Sequence, residues 1–275
     1  MNSDNFDLAD DAMARWNRAF TSRHGDGSGD PEEQYHALLN VIAYCKPKAS
    51  YLDIGCGFGR IIEIFKPAAG RIIGLEPSPG RFEACYNKYN DGRRIRIINS
   101  TSSAYKEARP KDRFDIIVVS MVLQHVATAV CDQILRDVHD LLAAGGVAII
   151  ATTHLRTERF MFPTQREAQT VEQFDEYAAN PENQRWGIPV RMFSQDSLRR
   201  AIEGAGLHVI DWSQFSYARP ERQAWLAGEF GLQPNDLDNV GFSQYAVVNL
   251  ADDRGRKASL LKRLIYKIML GLRMA

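Results

Sequence analysis

A glycine-rich turn between two apolar runs constrains this chain more than any other feature. The residues from Leu52 to Arg60 read Leu-Asp-Ile-Gly-Cys-Gly-Phe-Gly-Arg, so glycine occupies every second position after Asp53. Glycine lets the backbone adopt positive φ angles and lets a ligand approach closely. Arg60 stands where a Gly-x-Gly-x-x-Gly dinucleotide fingerprint would have its third glycine. The pattern predicts a strand, a tight ligand-binding turn and a helix.

The next apolar run ends in an acidic residue. It extends from Arg71 to Leu75, and Glu76 follows it directly. A carboxylate at the end of a strand can accept hydrogen bonds from both hydroxyls of a ribose. Glu76 is therefore a candidate for holding a nucleoside beside the glycine turn.

Strands and helices are predicted to alternate along the chain. Continuous apolar runs such as Phe114–Val119 and Gly146–Ile150 suit strands that are buried on both faces of a parallel sheet. The alternation indicates an α/β fold with a doubly wound sheet. The predicted strands are 50–54, 71–76, 95–100, 114–120, 146–153, 207–214 and 243–250.

The glycine turn, the acidic strand end and the strand series together resemble motifs I and II of class I S-adenosylmethionine-dependent methyltransferases. The resemblance covers roughly residues 35–250. It implies a Rossmann-like seven-stranded sheet with an antiparallel last strand, S-adenosylmethionine as cofactor, and methyl transfer to an acceptor. The arrangement resembles small-molecule and sugar O-methyltransferases, in which a histidine after strand four works beside a polar group after strand five.

The resemblance implies a cofactor site at the carboxyl ends of the strands. The glycine turn would face the methionine and ribose moieties, Glu76 the ribose, and Pro77 the adenine. After strand three the family often has an acidic residue, but this chain has Asn99-Ser100-Thr101-Ser102, so a hydroxyl or backbone group would replace it. The predicted cofactor-binding residues are Asp53, Gly55, Cys56, Gly57, Gly59, Glu76, Pro77, Thr101, Ser102, Ser120 and Met121.

Two histidines follow strands four and five, where cofactor and acceptor would meet. A hydroxyl acceptor must lose its proton, and histidine is the natural base near neutral pH. We therefore predict His125 and His154 as catalytic candidates; the alternative for His125 is a helix-start residue bonded to nearby backbone. No Asp, Glu and His cluster has a convincing metal spacing, so we expect a metal-free reaction.

Two segments, 154–192 and 215–242, are longer than the sheet requires, and we predict them as helical lid insertions after strands five and six. The first is rich in arginine and aromatic residues; a satellite core is the alternative explanation for the aromatic ones. The predicted substrate-binding residues are Gln124, Arg156, Arg159 and Trp186.

The acceptor class stays open. We expect a hydroxyl of a small molecule or glycan, including a lipid-linked saccharide. One alternative is C- or O-methylation of a membrane quinol, and another is a non-catalytic subunit that binds the cofactor and activates a partner. The sequence lacks the Asn- or Asp-preceded Pro-Pro-Tyr or Pro-Pro-Trp motif of many base and protein amino methyltransferases. A nucleic-acid substrate is therefore disfavoured.

The chain is predicted to have an N-terminal helix and linker (1–30), a methyltransferase domain (31–250) and a basic amphipathic helix (251–275). Over 258–274, apolar residues fall on one arc of the helix and cations on the other. Such a helix can bind an anionic membrane surface, or it can pack on its own domain or on a second subunit in a homodimer. Nucleic acid is disfavoured as its partner, because the apolar stripe would have no use.

The cysteines and the amino end indicate the compartment. Four cysteines lie without the paired spacing of a zinc site or a disulfide framework, as expected of buried thiols in a reducing compartment. The first residues lack the features of a secretory signal. No apolar run approaches the ~18 residues that span a bilayer. We expect a cytoplasmic protein, either free or peripheral at the inner face of the membrane.

Overall fold

A computed structural model describes residues 48–162, 168, 170–184, 188–215 and 243–250. Its strands are β1 (Ala49–Ile54), β2 (Ala69–Leu75), β3 (Ile95–Ile98), β4 (Phe114–Ser120), β5 (Leu142–Thr153), β6 (Arg159–Met161), β7 (Val190–Met192), β8 (Leu207–Phe215) and β9 (Ser243–Leu250). Its helices are α1 (Arg60–Phe65), α2 (Pro79–Tyr89), α3 (Ser102–Ala108), α4 (Thr128–Leu141), α5 (Val171–Ala179), α6 (Pro181–Gln184) and α7 (Gln195–Gly204), and a 3-10 turn covers Leu123–His125. The predicted terminal helices and residues 216–242 of the second insertion lie outside these ranges.

Seven strands form one sheet in the order β3-β2-β1-β4-β5-β9-β8. The pairs β2–β3, β1–β2, β1–β4 and β4–β5 are parallel, whereas β9 runs antiparallel to both β5 and β8. All seven predicted strands are confirmed, and the largest difference is that β5 begins at Leu142 instead of residue 146. Because the order reverses between β1 and β4, the carboxyl ends of the parallel strands form a crevice there.

Each face of the sheet is covered by a separate apolar layer. Successive side chains of a strand point to opposite faces, and in β4 Ile116 packs in the layer that contains Phe65 of α1. Its neighbour Ile117 packs in the other layer, with Leu135 of α4. This two-sided burial explains why β4 and β5 are continuous apolar runs in the sequence.

The beginning of α4 differs from what the sequence predicts. The helical spacing of apolar residues from Val130 to Leu142 predicts a helix with Thr128 as its N-cap and a stop at Gly145-Gly146. In the structure Thr128 is the first helical residue, and Ala127 precedes it without a side-chain cap. The Asp175 carboxylate of α5 instead accepts hydrogen bonds from the Thr128 amide (2.8 Å) and hydroxyl (3.0 Å). The helix also ends at Leu141, before the predicted stop at Gly145.

The first insertion combines strands with helices. Arg159–Met161 and Val190–Met192 pair as an antiparallel two-stranded sheet, and α5 and α6 lie between them in the chain. Phe174 is buried with Ala168 and Ala178, and Phe160 packs against this cluster. These aromatic residues thus form a satellite core, as the alternative interpretation of the segment expects.

The three cysteines in the described ranges, Cys56, Cys85 and Cys131, are free and buried. The sulfur atoms of Cys56 and Cys85 lie 3.9 Å apart, beneath the glycine turn. Among the helices listed above, none has the length and apolar character needed to cross a membrane.

A buried carboxylate joins α3 to α4. The side chain of Asp137 is fully buried, and its Oδ1 lies 2.6 Å from Nζ of Lys106. The hydroxyls of Ser102 and Ser103 donate to Oδ2 at 2.7 and 2.6 Å. Burial alone would raise the pKa of Asp137, but these bonds together lower it. Asp137 is therefore held ionised between the two helices.

We expect Asp137→Ala to lower the free energy of unfolding by about 2–4 kcal/mol, because it removes a buried carboxylate and leaves the buried Ser102 hydroxyl without its acceptor. Chemical denaturation measures the loss. Asp140→Ala is the matched control: Asp140 also pairs with Lys106, but it is exposed, so less than about 1 kcal/mol is expected. Equal effects of the two substitutions would contradict the structural role of Asp137.

Candidate active site

The glycine turn is bonded to the carboxyl end of β2. The amides of Gly55 and Cys56 both donate to the carbonyl of Leu75, at 2.8 and 2.9 Å. Gly57 has a φ angle of 54°, in the left-handed region, and a Cβ atom built there would meet no atom of the described residues within 4 Å. The turn therefore leaves open space beside its backbone at Gly57, as expected where a ligand approaches.

Glu76 lies beneath this turn and is almost completely buried. Its Oε2 accepts the amide hydrogen of Gly57 at 2.8 Å. Its Oε1 accepts hydrogen bonds from the Ser78 amide at 3.0 Å and from the guanidinium Nε of Arg81 at 3.2 Å. The two sequence motifs thus meet at one carboxylate, whose position is fixed by two backbone donors.

Asp53, the last polar residue before the turn, is buried and incompletely bonded. Its Oδ2 has no hydrogen-bond partner in the described part of the chain. Desolvation raises the pKa of Asp53 to about 7, with the nearby charge of Arg60 opposing the rise and that of Glu76 adding to it. A cationic group placed here would stabilise the carboxylate. The ammonium group of a bound amino-acid moiety has the required charge.

The segment after β3 does not present its side chains as predicted. The Thr101 hydroxyl caps α3 by accepting the amide hydrogen of Ala104 at 3.2 Å, and the buried Ser102 hydroxyl donates to Asp137. Both side chains therefore have structural partners, which argues against their predicted cofactor contacts. Asn99 has a supporting part: its Nδ2 donates to the carbonyls of Glu76 (2.8 Å) and Pro77 (3.1 Å).

The segment after β4 is bonded to β5. Met121 has a φ angle of 56°, which is uncommon for a residue other than glycine, and its amide donates to the carbonyl of Ala151. The Gln124 amide lies 3.3 Å from the Met121 sulfur, and its oxygen accepts the Thr152 hydroxyl at 3.0 Å. Gln124 is predicted to bind substrate, but it is buried with both ends of its amide engaged. It instead holds the strained segment in place.

Ser120 ends β4, and its hydroxyl oxygen is buried without a partner among the residues described. Ser120 immediately precedes Met121, in the segment where cofactor and acceptor are predicted to meet. Its unsatisfied hydroxyl fits the predicted contact with a ligand.

His125 follows this segment, and its ring is held in one tautomer. Its Nδ1 lies 3.0 Å from the carbonyl oxygen of Pro189. A carbonyl only accepts, so Nδ1 carries the hydrogen and Nε2 of the neutral ring keeps its lone pair. Desolvation lowers the pKa of His125 to about 4, against the effect of the Pro189 bond, and the positive charge of Arg81 lowers it further. The ring is therefore neutral at physiological pH.

His154, after β5, is more deeply buried. Its Nδ1 has no hydrogen-bond partner in the ranges that the structure covers. Desolvation lowers the pKa of His154 to about 4, opposed by the neighbouring Gln244 side chain. The Gln244 amide nitrogen is directed to the carbonyls of Thr153 and Phe193, at 3.0 and 3.3 Å. His154 is thus a second neutral imidazole at a strand end.

The residues of the first insertion that are predicted to bind the acceptor differ in their exposure to solvent. Arg156 is exposed, and Arg159 is half-buried at the start of β6. Trp186 lies outside the described residues. A buried arginine of the same segment, Arg191, pairs with Glu158 at 2.8 Å and lies over the ring of Phe193. The first insertion therefore contains an ion pair between two of its own residues.

Arg81 belongs to none of the sequence motifs, although it contacts Glu76 and lies close enough to His125 to affect the pKa of that ring. The sequence does contain a clue to its position: α2 begins at Pro79, so Arg81 lies in the first helical turn after the acidic strand end. Only the three-dimensional path of α2 brings its guanidinium into contact with Glu76 and near His125.

Comparison with known proteins identifies the family. Residues 29–211 match a family model described as a methyltransferase domain. Ubiquinone biosynthesis O-methyltransferases are similar over short stretches: that of Rhodopseudomonas palustris (strain HaA2) is 28% identical over 116 residues, 42% of this chain and 44% of that protein. That of Ruegeria pomeroyi is 32% identical over 102 residues, 37% of this chain and 40% of that protein. The chain thus matches less than half the length of these relatives.

Two solved structures share the fold. The Burkholderia thailandensis 1,6-didemethyltoxoflavin-N1-methyltransferase, with bound S-adenosylhomocysteine, aligns with a TM-score of 0.54 at 17% identity, covering 86% of this chain and 87% of its own. An S-adenosylmethionine-dependent methyltransferase of Clostridium acetobutylicum aligns with a TM-score of 0.56 at 11% identity, covering 86% and 98%. Among the described residues, none fills the space at Gly57 and none bonds to Oδ2 of Asp53, and both features fit S-adenosylmethionine. The chain therefore belongs to the methyltransferase domain family, and S-adenosylmethionine is its cofactor.

Proposed function

We propose that the chain is an O-methyltransferase that acts on a hydroxyl of a small molecule, with His125 as the base. The observation that carries this proposal is the state of the His125 ring. The Pro189 carbonyl holds the hydrogen on Nδ1, and the low pKa keeps the ring neutral, so that Nε2 can accept a proton. Such a group suits a hydroxyl acceptor, which must lose a proton during methyl transfer.

The cofactor is proposed to be held by the residues that line the glycine turn. Gly57 leaves room for its close approach, Glu76 accepts hydrogen bonds from the ribose, and the Asp53 carboxylate faces the ammonium group. When bound, S-adenosylmethionine supplies a methyl group on a positively charged sulfur, which needs little further activation. The main tasks of the protein are alignment and proton removal.

During transfer, the acceptor oxygen forms a bond to the methyl carbon while the carbon–sulfur bond breaks. The hydroxyl proton moves to Nε2 of His125, and the resulting positive charge is shared with the Pro189 carbonyl through Nδ1–H. Gln124 holds the preceding segment against β5 through Thr152, so the ring stays in position. His154 is the second candidate base, since it too is neutral.

The low basicity of both histidines favours an acidic hydroxyl. A phenolic hydroxyl has a pKa of about 10, and it loses its proton to a weak base more readily than a sugar hydroxyl does. The names of the similar ubiquinone biosynthesis O-methyltransferases point to the same class. We therefore rank a phenolic or quinol-precursor acceptor above the glycan acceptor that the sequence suggested.

Incubation with labelled S-adenosylmethionine tests this ranking. A panel of hydroxylated aromatic compounds and a panel of saccharides, including lipid-linked ones, are compared for methyl incorporation. Label in the aromatic panel supports the proposal, and label only in saccharides would reverse it. Cofactor binding without turnover, restored by a second protein, would favour the non-catalytic subunit.

The basic C-terminal segment, 258–274, is a separate proposal. Attachment to an anionic membrane surface would bring the enzyme to an apolar acceptor, whereas packing in a homodimer would not. Flotation with anionic liposomes, compared between the full chain and a chain ending at residue 257, distinguishes the two.

We expect Glu76→Ala to weaken cofactor binding by about 1.5–3 kcal/mol, because charged hydrogen bonds to the ribose are lost. Gly57→Val should abolish binding, since its side chain would fill the open space and its φ angle disfavours a branched residue. Calorimetry measures both. Gly92→Val is the control, because Gly92 also has a positive φ and open surroundings among the described residues. Gly92 precedes β3 and so lies at the amino ends of the parallel strands, opposite the candidate site. Unchanged affinity in Gly57→Val would refute the site assignment.

Asp53 should make cofactor affinity depend on pH. With a pKa of about 7 in the free protein, Asp53 must lose a proton before it can pair with the ammonium group. Affinity should therefore rise up to tenfold per pH unit below 7 and level off above it. Asp53→Asn should bind more weakly and lack this component, whereas titration of the ligand itself is common to both proteins. A wild-type profile parallel to that of Asp53→Asn would contradict the role.

His125→Ala should lower turnover by about 10²–10⁴-fold while cofactor affinity stays nearly constant. Because the pKa of His125 is about 4, its protonation should reduce activity only as the pH falls toward 4, with no histidine step between pH 6 and 8. His139→Ala is the control, since His139 is half-buried on α4, where it lies against Asp140. A rate for His125→Ala within threefold of wild type, with His154→Ala inactive, would transfer the role to His154.

A further inference from the structure

We propose that Arg81 competes with the ribose of the cofactor for Glu76, so that this arginine weakens cofactor binding and speeds the release of S-adenosylhomocysteine. The inference rests on the proposed contact between Glu76 and the ribose. Arg81 would thereby set the affinity for the cofactor, because one carboxylate accepts only a limited number of hydrogen bonds.

A carboxylate offers about four lone-pair positions, two on each oxygen. Oε1 of Glu76 already accepts from the Ser78 amide and from Arg81 Nε, and Oε2 accepts from the Gly57 amide. With these three donors, which are those that the described residues supply, one position on Oε2 is left. The two hydroxyls of a ribose need two positions, so one of the three present donors has to leave.

Arg81 is the donor that can leave. The Gly57 amide belongs to a turn that is bonded to Leu75 at two points, and the Ser78 amide immediately precedes α2. Moving either of them would displace the backbone. The Arg81 contact is the longest of the three at 3.2 Å, and it is made by a side chain. Side-chain rotation alone would free Oε1 for the second hydroxyl.

Arg81 is not required to orient Glu76. Two backbone amides bind the carboxylate, one on each oxygen, so its plane stays defined when the guanidinium moves away. The ion pair instead compensates the buried charge of Glu76, whose side chain is only 3% exposed. Hydrogen bonds from the ribose replace that compensation when the cofactor binds, and the ion pair forms again when it leaves.

The test compares dissociation constants measured by calorimetry for wild type, Arg81→Met and Arg81→Lys. Methionine keeps the length of the side chain but has no donor and no charge, so Arg81→Met should bind S-adenosylhomocysteine about three- to tenfold more tightly. Lysine keeps the charge and a donor, and it should stay closer to wild type. Arg96→Met controls for the loss of a positive charge, because Arg96 is exposed on β3.

Three ligands separate competition for lone pairs from charge repulsion. S-adenosylmethionine carries a sulfonium, S-adenosylhomocysteine does not, and methylthioadenosine retains the ribose without the amino-acid charges. Competition predicts that Arg81→Met strengthens the binding of all three by a similar factor. Stronger binding of S-adenosylmethionine alone would show repulsion of the sulfonium and overturn the proposal, as would weaker binding of all three.

Glu76→Ala keeps the two proposals distinguishable. If it leaves the affinity for methylthioadenosine unchanged, the ribose contact itself is wrong, and the competition falls with it. If Glu76→Ala weakens binding but Arg81→Met does not strengthen it, the ribose contact stands and only the competition is refuted. In the double variant, the effect of Arg81→Met should disappear.

Discussion

The hydrogen bond between the Gly57 amide and the Glu76 carboxylate joins the two motifs on which the cofactor site is built. It connects the turn after β1 to the end of β2, and the bonds from Gly55 and Cys56 to Leu75 reinforce that connection. Burying a carboxylate is unfavourable unless donors surround it. Here one of the donors, the Gly57 amide, belongs to the turn itself, so the same bond stabilises the charge and fixes the conformation of the turn.

Burial has opposite effects on the two kinds of titratable group at the strand ends. It raises the pKa of Asp53, and it lowers those of His125 and His154. In each case the neutral form is favoured. The site thus combines a carboxyl that a cationic ligand would ionise with two imidazoles that have free lone pairs at neutral pH. These states suit a cationic cofactor and a protic acceptor.

The sequence predicts the sheet well because β1, β4 and β5 are buried on both faces, which requires long apolar runs. It also locates the glycine turn and Glu76, since both follow strands directly. The prediction is wrong for the cap of α4, where Asp175 from another element supplies the acceptor. It also does not anticipate the structural bonds of Gln124 and Ser102, and it does not single out Arg81. The partners of these side chains depend on how helices and insertions pack, and a single sequence does not encode that packing in a local pattern.

The first insertion contacts the short segment that carries His125 at two points. Pro189 supplies the carbonyl opposite His125, and Asp175 binds the Thr128 amide only three positions further on. The tautomer of the proposed base is therefore set by a segment outside the central sheet. A change of acceptor through exchange of this insertion has to preserve a carbonyl at that point, or the ring loses its fixed protonation pattern. The same insertion would therefore affect both the acceptor that is bound and the protonation pattern of the proposed base.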